Sequence, residues 1–274
     1  MKHLKSLEEF KSVNEQLFGN YSGALLKLLG GEELEKSPVG GSIAMKGTVS
    51  GDQGKNAQAI INSMNKHGIT NPYTQRAILG VIGKETGFAP RNETSYSNTA
   101  ASRIRGIFGS RVGSMTDAQI DQLKKNDEAF YNKVYGGRYG NSATEGYKYR
   151  GRGFNGITFK ALYQKMQDLI NKIGKLDRKV DIVANPDVLN DIDVAAEAAV
   201  LYFIDRASDP AMYKKYGVKD LNLFNDQETA LKAMVNANAG WGKDINNDYL
   251  DSLGKARVQM DKFSIGDLGK SNVA

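Results

Sequence analysis

The stretch Ala195-Ala196-Glu197-Ala198-Ala199-Val200-Leu201-Tyr202-Phe203-Ile204 is apolar nearly all the way round a helical wheel. A helix of that kind is stable only where other elements cover every face, so it predicts a central buried helix with a shell of helices around it. The shell is legible too. Amphipathic helical patterns occur at about 56–66, 72–86, 99–107, 116–125, 127–135, 159–173, 193–206, 226–237 and 246–262. Thr116 with Gln119, and Asn225 with Glu228, have the spacing of capping boxes. Strand signal is scarce, and Tyr147–Thr158 is its best candidate, as a short Gly-interrupted hairpin or an extended loop. The expected class is mainly α.

Residues 1 to about 30 give two short amphipathic patterns, including Leu4, Leu7, Phe10 and Val13. From Ser37 to Lys55 the chain is polar and Gly-rich, with Pro38, Gly40, Gly41, Gly47, Gly51 and Gly54, and reads as a linker. This divides the chain into an N-terminal helical segment with linker, 1–50, and a main domain, 51–274. The first piece is too short for its own core and is expected to pack on the main domain or meet a partner.

Composition removes several function classes. The chain has no cysteine and only two histidines, His3 and His67, so thiolate and His-rich metal sites are excluded. Neither an apolar membrane span nor the apolar core of a secretory signal is present, so the expectation is a protein made in the cytoplasm without insertion into a membrane. A monomer is expected. A net charge of +6 favours anionic partners, among them nucleic acid, a bacterial wall polymer or an acidic lipid surface. No basic helix, zinc-finger spacing or RNA-binding aromatic motif is found, which argues against nucleic acid. Gly151-Arg152-Gly153 lacks the Lys-Ser/Thr ending of a phosphate loop.

The chemistry concentrates after the 72–86 pattern. Ile78, Val81, Ile82 and Glu85 stand at i, i+3, i+4 and i+7, which puts a carboxyl on the core face of the helix. Low dielectric disfavours the ionised form, the usual preparation of a general acid. The same spacing also fits a Glu at a frayed helix end that reaches into water. Gly87 and Pro90 then stop the helix, so Glu93 falls on a polar loop and should be solvated. One sheltered and one wet carboxyl is the asymmetric pair that glycosidic cleavage requires. In Gly146–Thr158, Tyr147 and Tyr149 offer flat faces for sugars, Arg150 and Arg152 offer forks for carboxylates, and the glycines allow close backbone approach. The alternative is a glycine-kinked strand whose Tyr and Arg cover the surface.

Lys84-Glu85-Thr86-Gly87-Phe88, Glu93-Thr94-Ser95-Tyr96-Ser97 and Tyr149-Arg150-Gly151-Arg152-Gly153-Phe154 resemble the ordered signatures of glycoside hydrolase family 19, and more closely its bacteriophage endolysin and predicted-chitinase branch. Thr99–Arg111 and Tyr135-Gly136-Gly137-Arg138-Tyr139-Gly140-Asn141 fit as well, and the likeness spans about residues 60 to 260. The resemblance implies a lysozyme-like, two-lobed helical domain with a cleft, the short hairpin or extended segment lying beside it. It implies cleavage of β-1,4 bonds in an N-acetylated amino-sugar polymer without metal or cofactor, with Glu85 as general acid, Glu93 as second carboxyl, Thr158 as a holder of the attacking water and Asn236 as a substrate contact. The chain departs from the family where Asn155 and Gly156 replace Ile and Gln, and where Asn236-Ala237-Asn238 replaces Asn-Gly-Gly. Glu145 is an alternative base.

The expected mechanism is single displacement, with inversion and carboxyls roughly 6.5–9.5 Å apart. Positive charge, with Arg150 and Arg152 beside the cleft, favours peptidoglycan strands over neutral chitin. The expectation is an endolysin-type muramidase acting on the cell wall in the periplasm, with a glucosaminidase not excluded, or a wall-degrading virion component docked through residues 1–50. A chitinase, a lytic transglycosylase and a non-catalytic wall-binding virion protein remain as alternatives.

Overall fold

A computed structural model describes residues 34, 36–240 and 246–266. Among them are ten α-helices and two four-residue strands, so the chain is mainly α with a small antiparallel sheet. The helices are α1 (Gly51–Lys66), α2 (Pro72–Thr86), α3 (Ala101–Phe108), α4 (Asp117–Leu123), α5 (Asp127–Tyr135), α6 (Lys160–Ile173), α7 (Ile192–Ala207), α8 (Pro210–Tyr216), α9 (Gln227–Ala239) and α10 (Asn247–Met260). The N-terminal patterns at Leu4, Leu7, Phe10 and Val13 lie outside the described residues. None of the described helices is long and apolar enough to cross a membrane.

The all-round apolar segment does form the centre. Every residue of α7 from Val194 to Asp205 is buried, and α1, α6 and α9 pack around it. Two polar side chains go in with it, and one is paired within the core. Glu197 accepts from Ser63 Oγ at 2.9 Å and from the Lys175 amide at 2.6 Å, and lies 2.7 Å from His67 Nε2. Burial alone would push this carboxyl up, but the His67 contact and the other donors outweigh it and hold it below the usual carboxylate range.

Helix α2 crosses α9 and α10, and glycines set the distance. A Cβ on Gly80 would stand 2.7 Å from the Ala256 carbonyl oxygen, and one on Gly83 would enter the Phe88 ring at 2.8 Å, so α2 comes as close as it does only without those side chains. Its start is fixed by Asn71, whose Oδ1 accepts from the amides of Tyr73 and Thr74 while Pro72 occupies the first turn. Its end is fixed by Gly87, left-handed at φ 61°, whose amide donates to Gly83. Phe88 is also left-handed and buried against Phe263, which turns the chain sharply out of the helix.

A second, smaller core lies beyond that turn. Ile104, Phe108, Val112, Ile120, Phe130, Tyr131 and Val134 cluster apart from the main core, with Tyr96, Tyr135 and Tyr147 at its edge. Loop 89–100 joins the two, pinned where Tyr96 stacks on Phe130 at 5.1 Å.

Three local expectations need correction. The Ser37–Lys55 segment is not all linker, because Ser42–Met45 forms β1 and pairs antiparallel with β2, Phe263–Gly266, while Val49 is buried. Tyr147–Thr158 is turn-rich, closed by one antiparallel bridge between Arg152 and Ile157 rather than by paired strands. The α9 cap is Asp226, accepting from the Thr229 amide, one residue beyond the Asn225 expected from the Glu228 spacing. The Thr116–Gln119 box is present.

Candidate active site

The α2 periodicity that buries Ile78, Val81 and Ile82 carries Glu85 to the point where the core stops and a cavity begins. That cavity has a volume of about 460 Å³, and both Glu85 and Glu93 line it. The shelter expected for Glu85 is partial, since 34% of its side chain is exposed. Its Oε1 accepts from Asn238 Nδ2 at 2.7 Å and lies 2.5 Å from Lys84 Nζ, which itself donates to Ser252. Asn238 comes from the last turn of α9, so the crossing of α2 and α9 sets where this carboxyl points.

Glu93 is on a loop, as the breakers predict, but it is not simply solvated. Tyr135 donates to its Oε1 at 2.7 Å, Tyr96 donates to the same oxygen at 3.3 Å, and the Gly151 amide donates to Oε2 at 3.1 Å. The Glu93 amide in turn donates to the Gly151 carbonyl at 2.7 Å, so loop 89–100 is stitched to the turn-rich segment. Tyr131 adds a bond to the Thr94 carbonyl at 2.8 Å. Burial, and then the Glu93 carboxyl, push the Tyr96 hydroxyl up to about 12 and raise Tyr131 and Tyr135 as well. These phenols therefore stay protonated donors at neutral pH.

Thr158 lines the same cavity and donates to the Gly156 carbonyl at 2.7 Å. Gly151 sits between it and Glu93. A Cβ there would stand 3.3 Å from both Glu93 Oε2 and Thr158 Oγ1, so the missing side chain is what admits the two groups to one wall.

The other candidates are placed elsewhere. Tyr149 is in the main core, its hydroxyl on the Val183 carbonyl at 3.2 Å. Arg150 is buried, with its guanidinium over the Tyr147 ring at 4.0 Å. Arg152 is buried too, held by Asp187 at 2.8 Å and by the carbonyl of Lys148 at 2.7 Å. None of Tyr147, Tyr149, Arg150 and Arg152 lines the cavity. Gly146 serves the packing: a Cβ there would meet the Tyr131 carbonyl oxygen at 2.2 Å, so the segment lies close against α5. Asn236 is fully buried and donates to Tyr216 at 2.6 Å; the asparagine that reaches the site is Asn238, on another face of the helix. Glu145 lies outside the cavity lining, where the Ser142 amide and then Lys160 hold its carboxyl below the usual range.

Sequence reasoning missed Tyr96, Tyr135, Gly151 and Asn238 as partners of the two acids, and Arg91. Arg91 is the only lysine or arginine among the residues lining the cavity, and it is anchored through Nη2 on the Glu85 carbonyl at 3.1 Å. Among the described residues, no group of three or more His, Asp or Glu side chains could hold a metal ion. In comparisons with known proteins, the chain matches no protein-family model and no curated protein.

Proposed function

We propose that the chain is a glycoside hydrolase of endolysin type that cleaves β-1,4 bonds in peptidoglycan strands. The observation that carries this reading is the pair of carboxyls on one cavity, each held differently. Glu85 is presented at a helix end by one amide donor and an ammonium, and Glu93 is gripped by two phenols and a backbone amide. Such a pair has the parts for acid and base roles on opposite sides of a sugar. Glu85 gives its proton to the departing glycosidic oxygen as the sugar gains oxocarbenium character. Glu93, with Thr158 beside it across Gly151, orients and deprotonates a water, and the anomeric configuration inverts.

Support for an anionic strand now comes from Arg91 rather than from the buried Arg150 and Arg152. A guanidinium fixed by one nitrogen, with no carboxyl within ion-pairing reach among the described residues, has donors left for a lactyl or peptide carboxylate. Neutral chitin offers it no such partner.

Mass spectrometry of soluble fragments from purified sacculi tests this reading. Fragments with reducing ends, each carrying the added water, agree with it. Anhydro ends would make the chain a lytic transglycosylase working through Glu85 alone, and no fragments would leave at most a wall-binding protein.

A further inference from the structure

The segment Tyr135–Asn141 resembles the family and yet only Tyr135 enters the site; the rest forms a tight turn with an unusual surface. Tyr139 is 65% exposed, the most open of the large apolar side chains described, and its backbone is left-handed at φ 42°. Phe159, facing it at 4.8 Å between ring centres, has φ 70° and ψ 140°, a region that side chains rarely adopt. Exposure and strain in two touching aromatics run against stability, so their persistence calls for a reason outside the core.

The turn is also rigid. The Asn141 amide closes it on the Arg138 carbonyl at 2.9 Å, and the Ala161 amide donates to the Tyr139 carbonyl at 3.0 Å. The Asn141 side chain ties it to the Tyr135 carbonyl at 3.0 Å and to the Lys160 amide at 2.8 Å. Arg138 places its guanidinium 5.4 Å from the Tyr139 ring centre and 5.3 Å from that of Phe159. The pair is continuous with the cleft: Phe159 follows Thr158 in the chain, and its ring meets that of Tyr135 edge-on at 5.0 Å. A row of aromatic rings thus runs from the residue that grips Glu93 out to an exposed, preorganised tyrosine.

We infer that Tyr139 and Phe159, steadied by Arg138, form a stacking platform for a sugar ring of the glycan strand outside the cleft. The inference rests on the hydrolase reading for the identity of the polymer. Flat apolar ring faces with a polar edge suit the faces of a pyranose, and these rings adjoin the cavity through Thr158, which precedes Phe159, and through the contact of Phe159 with Tyr135. Fixing the rings beforehand leaves less entropy to lose on binding.

The test compares kcat/KM on long glycan strands with that on a tetrasaccharide from the same sacculi. For Tyr139→Ala the long-to-short ratio should fall roughly tenfold, through KM, while Tyr139→Phe keeps it. Tyr139→Gly, which suits the left-handed backbone, should show the same fall with a Tm equal to or above that of the parent protein. An unchanged ratio in Tyr139→Ala and Tyr139→Gly overturns the platform, and would leave the patch to another protein. Should the parent protein release no fragments, co-sedimentation with sacculi decides: weaker retention of Tyr139→Ala keeps the platform while the hydrolase reading fails, and equal retention overturns the platform too.

Discussion

Tyr135→Phe removes one oxygen atom from the cavity wall, and the structure says what that should cost. The hydroxyl donates to Glu93 Oε1 at 2.7 Å, whereas the other phenol on that oxygen, Tyr96, is at 3.3 Å. A hydrogen bond to a charged group contributes about 1.5–3 kcal/mol. Glu93 is only half-buried and water can take part of the role, so the lower end applies, about 1.5 kcal/mol or roughly a tenfold loss of kcat. Tyr96→Phe breaks the longer and weaker bond to the same oxygen and should lose only about threefold or less. Both rings stay, so the stacking of Tyr96 on Phe130 and of Tyr135 on Tyr131 is kept and the variants should fold. Turbidity clearing of sacculi gives kcat and KM, and a melting curve checks the fold. Folded Tyr135→Phe with parental kcat, or a larger loss in Tyr96→Phe, would refute the idea that these phenols hold the base.

Gly151→Ala should lower kcat about tenfold to a hundredfold with little change in Tm, because its Cβ, 3.3 Å from both Glu93 and Thr158, shifts catalytic groups rather than core; kinetics and a melting curve on one sample check this. Arg91→Gln should weaken cleavage of sacculi more than cleavage of a neutral chitin oligomer, read as a ratio of kcat/KM values; equal losses would reduce Arg91 to capping the Glu85 carbonyl. For Glu197, whose folded carboxyl is held below its ordinary value of 4.5, the stabilising contribution is present above the unfolded value and lost as pH falls through the lower folded value. Tm should therefore drop more steeply below about pH 4.5 in the parent protein than in Glu197→Gln, and parallel curves would contradict this.

The parts of the fold that the sequence shows are those governed by short-range rules. The helix at 72–86 is bounded by Asn71-Pro72 at one end and Gly87 at the other, and the structure has those bounds. Helix α7 declares its burial through its own composition. What stays hidden depends on partners far along the chain: β1 and β2 are four residues each and meet only because the ends of the domain are adjacent. Helix α8, seven residues from Pro210 to Tyr216, is too short to give a periodic pattern. The site divides the same way. Glu85 follows from a helix face and Glu93 from a breaker, whereas Tyr135 and Asn238 are brought to them by tertiary crossings. Arg150 and Arg152 mislead because glycines beside polar side chains suit a ligand groove and a tightly packed turn equally well.

The claim on which the account turns is that Glu85 is the proton donor in this cleft. Removing that proton with Glu85→Gln keeps the side-chain shape and an oxygen that can still accept from Asn238. The rate of fragment release from sacculi, measured beside the parent protein with equal melting temperatures, should fall at least on the order of a hundredfold. Release at the parental rate by folded Glu85→Gln would contradict it.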